Sequence, residues 1–158
     1  MPVITVRFIA GAGFVSRSIL RVTNSLFSHT EFGIDGKWVG AHSGDGVQER
    51  AFDYCAPSRE YVYEIPCSEY QAAQLQVWVR SQIGKSYNYW DIVGLLLKNR
   101  NLNSPGRMIC SQFVTEGLLM VFGANRVLNV LPDYAFLITP ETLHLSPIFV
   151  GRRVKKVG

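Results

Sequence analysis

Cys110 and His29 are the two side chains whose types could jointly carry out acyl chemistry at neutral pH. Cys110 lies in Met108-Ile109-Cys110-Ser111-Gln112-Phe113, and His29 in Phe27-Ser28-His29-Thr30-Glu31-Phe32. A cysteine attacks as its thiolate, and histidine is the side chain best suited to hold and deliver the proton near pH 7. Cys110 falls where a loop hands over to an apolar helix. Unpaired N–H groups at a helix start favour a thiolate and can hold an oxyanion. The plainer readings are a small buried thiol for Cys110 and a surface residue at a strand start for His29. For a third member, His42 ranks first, accepting a ring N–H from His29. The carboxylate alternatives are Glu31, Asp45 and Glu49. Glu31 shares the face of His29 but sits only two residues along, so it is expected to point past the ring. Asp45, in Gly44-Asp45-Gly46, reads as a plain turn. His144 follows a helical turn with no partner in sight and reads as structural or exposed. Two histidines and a cysteine could also ligate zinc, but a missing donor and wide sequence separation argue against it. No metal or organic cofactor is expected.

These residues need elements to position them. Val3 to Ile9 alternates apolar and polar residues like a strand, Gly11-Ala12-Gly13 turns the chain, and Ser16 could cap a short helix to about Asn24. Phe27 to Ile34 reads as a strand. Asp35-Gly36 then supplies the two positive-φ positions of a type I′ hairpin, with Lys37 to His42 returning. Pairing Ile34 with Lys37 and counting outward sets Phe32 against Val39 and His29 against His42. Val47 to Ala51 and Tyr61 to Ile65 extend an antiparallel sheet. Ser68-Glu69-Tyr70-Gln71 has the form of a capping box, opening a helix that Gly84 closes. Helices are expected over Asn88 to about Lys98 and from Cys110 to Gly123, the latter with Phe113, Val114, Leu118 and Val121 inward. A helical turn starts at Thr139-Pro140-Glu141, and Ile148-Phe149-Val150 reads as an edge strand. The outline is an α+β fold, an antiparallel sheet packed against helices.

Composition bounds the function classes. The length of 158 residues suits one domain, expected over 1–158. A net charge of +4 is modest, and much of the excess lies in Arg152, Arg153, Lys155 and Lys156. That basic tail over 152–158 reads as a solvated, fraying terminus, with peripheral contact to a phosphate-bearing membrane or wall surface as the functional alternative. No aromatic residues interleave with these charges, which argues against nucleic acid. Three cysteines, Cys55, Cys67 and Cys110, are odd in number and widely spaced, so no disulfide framework is expected. No apolar run reaches the roughly 18 residues of a membrane span, and the start reads as a strand rather than a secretory signal. The expected setting is cytoplasmic or phage-associated.

Five segments, in order, resemble the circularly permuted branch of the NlpC-type papain-like superfamily, the YiiX/YaeF-like group related to lecithin–retinol acyltransferase. Ser16 through Glu31 is similar to the helix leading into that group's Ser-His strand, and Gly46-Val47-Gln48-Glu49-Arg50 to its following Gly-Val strand. Gln82-Ile83-Gly84-Lys85-Ser86-Tyr87 resembles the Gly-Lys-x-Tyr segment ahead of the nucleophile. Ile109-Cys110-Ser111-Gln112-Phe113-Val114 resembles the nucleophile motif, with Gln112 where an acid is usual. Ile138 to Leu143, followed by Ser146-Pro147, is similar to the closing element. The resemblance covers about Val6 to Val150. It implies a permuted papain-like fold and a cysteine amidase, peptidase or acyltransferase working through a thioester, with Cys110 as nucleophile and His29 as base. In the branch the third member is histidine or glutamate, and His42 is the matching candidate. Tyr87, Ser111 and Glu31 are candidates for oxyanion or supporting roles. The implied substrate is a cell-wall peptide or a lipid-like acyl compound. The competing class is a phage- or surface-associated binding or structural module that keeps the fold without turnover.

Overall fold

Period-two alternation in the first half of the chain produces β1 (Val3–Ala10), β2 (His29–Ile34), β3 (Lys37–His42), β4 (Gly46–Ala51) and β5 (Arg59–Pro66). The computed structural model describes residues 1–11, 17, 20, 21, 25–42, 44–86, 110–127 and 138–157. With β6 (Arg153–Val157) these strands form one six-stranded sheet in the order β4-β3-β2-β1-β5-β6, antiparallel throughout. Among the described residues the helices include α1 (Glu69–Gln82), α2 (Cys110–Phe122), α3 (Ala124–Val127) and α4 (Pro140–His144), followed by a 3₁₀ turn at Pro147–Phe149. The fold class is therefore α+β. Among the described residues no helix is long and apolar enough to cross a membrane.

The hairpin forms as its turn residues dictate. Asp35 and Gly36 take φ of 48° and 75°, and Phe32, Gly33 and Ile34 pair with Val39, Trp38 and Lys37. Gly46 opens β4 at φ 77°, where an added Cβ would lie 2.2 Å from the Lys85 carbonyl oxygen. The close approach lets the Val47 N–H donate to the Lys85 carbonyl and the Val47 carbonyl accept from the Gly84 N–H, so residues 84–85 lie along the outer edge of β4. The capping box is complete: Ser68 Oγ accepts from Gln71 N–H, and the Gln71 side chain accepts from Ser68 N–H.

One face of the sheet carries Val6, Phe8, Phe32, Val39 and Ile65, all buried in the core. Helix α2 packs there through Phe113, Val114, Leu118 and Val121, the inward set expected from its spacing. Phe113 meets Phe32 at 5.6 Å between ring centroids and stacks on Trp78 of α1 at 5.4 Å. Fully burying each such side chain is worth about 1.5–3 kcal/mol. Gly117 is what permits the close packing, because a Cβ there would meet Phe32 and Trp78 at 2.9 Å.

Two expectations for the C-terminal part are corrected. Ile148 and Phe149 lie in the 3₁₀ turn rather than in a strand, started by Pro147, which has no N–H to give a ladder. The edge strand is instead β6, the segment read as a fraying basic tail. Its backbone pairs with β5, Lys155 Nζ pairs with Glu60, and the Arg153 guanidinium lies 4.7 Å above the Tyr61 ring. The charge run concealed Arg153-Val154-Lys155, whose alternation suits an exposed edge.

Candidate active site

The opposite face of the sheet is polar and still buried. On β1 it carries Arg7, on β2 His29 and Glu31, on β3 Trp38, Gly40 and His42, and on β5 Glu60. The ladder sets Arg7 directly against Glu31, and Ile9 against His29. The segment after β4 covers this face: Trp38 Nε1 donates to the Phe52 carbonyl, and Tyr54 reaches over the charges. Beneath it, Arg7 and Glu31 have side chains 1% and 0% exposed.

Glu31 is the hub. Its Oε1 lies 3.2 Å from His29 Nε2, 3.2 Å from His42 Nε2 and 2.8 Å from the donating Tyr54 hydroxyl. Its Oε2 faces Arg7 at 3.4 Å, and Arg7 Nε pairs with Glu60 at 2.7 Å. The His29 contact is a directed hydrogen bond. The His42 contact is close but misaligned, and His42 Nε2 is buried with no hydrogen-bond partner among the described residues. The expectation that Glu31 points past the His29 ring is therefore corrected. Two residues along a strand is about 7 Å, and a glutamate side chain together with an imidazole spans it. Glu31, not His42, meets His29 Nε2. The two imidazole rings do come together, as the hairpin register predicts, with centroids 4.7 Å apart.

Cys110 is the first described residue of α2, and its Sγ lies 3.9 Å from the Ser28 carbonyl oxygen. It lies close enough to His29 to act on that ring's ionisation. Since Nε2 is engaged by Glu31, Nδ1 is the ring atom left for the sulfur. Burial works against the charged ring, but its interactions with Cys110 and Glu31 outweigh it and push the His29 pKa up to about 10. Burial likewise penalises the Glu31 carboxylate, yet His29 and His42 hold its pKa well below the usual range. Desolvation moves His42 the other way, to a lowered pKa, with the Glu31 contact only partly compensating. The surroundings thus favour a proton on His29 and disfavour one on His42.

The other sequence candidates fall in different places. Ser111 is buried, and its Oγ has no hydrogen-bond partner among the described residues. Gln112 bonds Glu116 within its own helix. Asp45 and Glu49 pair with Arg50 and Lys37 on the surface, away from His29. His144 does have a partner: its Nε2 lies 2.7 Å from the Tyr63 hydroxyl, within a cage of Phe8, Phe27, Tyr61 and Tyr63 rings. Tyr87 and the expected helix over Asn88 to Lys98 lie outside the described residues, as does most of the Ser16 to Asn24 segment.

Arg7, Tyr54 and Glu60 belong to the site and were missed. Arg7 offered a signal, an arginine in mid-strand with apolar neighbours on both sides. Tyr54 and Glu60 offered none, because their placement depends on a loop folding over the sheet. The case against a metal also overlooked Glu31: the ligand atoms of His29, Glu31 and His42 lie within 4.8 Å of one another.

No family model matches the chain, and no curated protein matches it. Among solved structures it is similar to that of "metalloprotein yiiX from Escherichia coli O157:H7". The TM-score is 0.66 at 15% identity, covering 99% of this chain and 96% of that one. Over nearly its whole length, then, this chain has an α+β fold similar to that of yiiX.

Proposed function

We propose that the protein is a papain-like cysteine hydrolase or acyltransferase, with Cys110 as nucleophile, His29 as its base and Glu31 as the carboxylate that orients the base. The observation that carries this is the His29 ring, hydrogen-bonded to the buried Glu31 carboxylate and close enough to Cys110 for the two groups to interact. The Cys110 thiolate attacks the carbonyl carbon of an amide or ester, forming a C–S bond and an oxyanion. N–H groups at the start of α2 would stabilise that oxyanion. Collapse breaks the C–N or C–O bond, and His29 gives its proton to the leaving group. His29 then accepts a proton from water or an acceptor nucleophile, which attacks the thioester and frees the sulfur. Within this class the substrate is a cell-wall peptide or a lipid-like acyl compound.

The test is mass spectrometry of the chain after exposure to an acyl-type electrophile, in the presence of a chelator. One adduct should form, on Cys110, and be lost in Cys110→Ala. In His29→Ala the labelling rate should fall by about 10²–10⁴-fold. Parallel incubations with acyl esters and with peptidoglycan fragments identify the substrate class from the adduct. The 5% exposure of Cys110 favours a second reading, a phage- or surface-associated binding module that keeps the fold without turnover. Labelling of Cys110 no faster than that of the buried Cys67 would select that reading.

A further inference from the structure

We propose that His29, Glu31 and His42 form a divalent transition-metal site, and that its occupation silences Cys110. The regulatory half rests on the thiol-hydrolase reading, whereas the metal-binding half stands without it. Two imidazole nitrogens and a carboxylate oxygen within 4.8 Å make a donor set that suits first-row divalent ions. The second observation is His42 Nε2, on a side chain 10% exposed. It is buried without a hydrogen-bond partner and lies 3.2 Å from Glu31 Oε1. A lone pair there faces a carboxylate, and a proton there is badly aimed. A cation between the two would satisfy both groups.

The surroundings are built like a ligand's support. Glu31 Oε1 is turned toward the histidines, while Arg7, the nearest cation, is held against Oε2 and by Glu60. Tyr54 donates to the ligating carboxylate, the kind of outer contact that fixes a metal ligand's orientation. The His29 side chain, 16% exposed, leaves a route from solvent. Three protein donors leave the ion a further position for water or an added anion.

Binding and thiol chemistry compete for one ring. An ion on His29 Nε2 displaces the proton that Nε2 shares with Glu31, and that proton leaves to solvent. The neutral, metal-bound ring then keeps its proton on Nδ1, so it has no lone pair with which to accept one from the Cys110 side. The ion also withdraws Glu31 from its role of orienting the base.

The experiment uses the full chain with Zn²⁺ alone as probe. Dialysis with elemental analysis and calorimetry should find about one ion per chain. That stoichiometry should survive in Cys110→Ala and be lost in both His42→Ala and His42→Gln. No bound zinc in the wild type overturns the site. So does binding that disappears in Cys110→Ala while persisting in His42→Gln, since the ligands would then be others. If the His42 variants misfold, Zn²⁺ should still raise the melting temperature of wild type and of Cys110→Ala alike, and no rise in either overturns the site. Zinc should slow electrophile labelling of Cys110 at least tenfold, with restoration by EDTA. Zinc that binds without slowing the labelling overturns the silencing. Slow labelling already in EDTA instead sinks the hydrolase reading, while the stoichiometry still stands or falls by itself.

Discussion

Glu31 Oε1 lies within 3.2 Å of His29 and His42 and 2.8 Å from the Tyr54 hydroxyl, while Oε2 offsets Arg7. Such a carboxylate is costly to neutralise. Glu31→Gln keeps the shape but removes the charge, leaving Arg7 to Glu60 alone. We expect a loss of about 3 kcal/mol in denaturant unfolding, the low end for a broken buried pair, and Cys110 labelling slowed by about 10²-fold or more. A stability loss with unchanged labelling would show Glu31 to be purely structural. His144 gives a pH dependence of its own. Burial lowers its pKa, opposed by Glu141 and assisted by Arg153, with the Tyr63 hydroxyl on its Nε2. The unfolded chain therefore binds a proton below about pH 6.5 that the folded chain resists, and stability falls as the pH drops from there toward the lowered folded value. Melting temperatures from about pH 7.5 down to about pH 5 should fall more steeply for wild type than for His144→Phe. At this scale, types and strand parity make Cys110 and His29 candidates, and the ordered resemblance of five segments raises them above their plainer readings. None of this could rank Glu31 against His42, because the choice turns on side-chain reach and on charges brought in by Arg7 and Tyr54 from elsewhere in the chain.

At the scale of elements, the β2–β3 hairpin does the positioning. Gly40 lies on β3 where a Cβ would be 3.0 Å from Glu31 Cγ and 3.4 Å from His29 Nε2. Gly40→Ala should thus displace the pair that matters most. The expected stability cost is that of modest overpacking, about 1–3 kcal/mol. Labelling of Cys110 should fall at least tenfold, since displacement by about an ångström is enough to do this, while Cys67 labelling stays as in wild type. The hairpin was legible because Asp35-Gly36 dictates both its turn and its register. The capping box at Ser68 and the end of α2 before Gly123 were legible for the same reason, local chemistry with a single solution. Strand β6 was not. Its lysines and arginines resemble a solvated tail, and only the exposed flank of β5 gives them a ladder to join.

Across the whole molecule, β6 closes one margin of the sheet while residues 84–85 line the other, along β4. A chain ending at Arg152 would bare the β5 flank and deprive Glu60 of Lys155. We expect it to melt several degrees lower, at roughly 2–4 °C per kcal/mol lost, and to associate through the bared flank in light scattering. A truncated chain that stays monomeric with an unchanged melt would show β6 to be dispensable. The helices contribute by bringing Cys110 to the one end of the sheet where the His29 ring emerges. The sequence order of elements could suggest this, and only their packing achieves it.

The sheet order has a consequence for how the protein is made. Strand β1, first in the chain, sits in the interior of the sheet, with β2 on one flank and β5 on the other. While a ribosome extends the chain, the meander through β4 can assemble early. The second flank of β1 must then wait for residue 59 onward, and Arg7 waits with it for Glu60. Until that strand emerges, the nascent protein carries an unmatched ladder and a half-compensated guanidinium. That is the interval in which a chaperone would matter most.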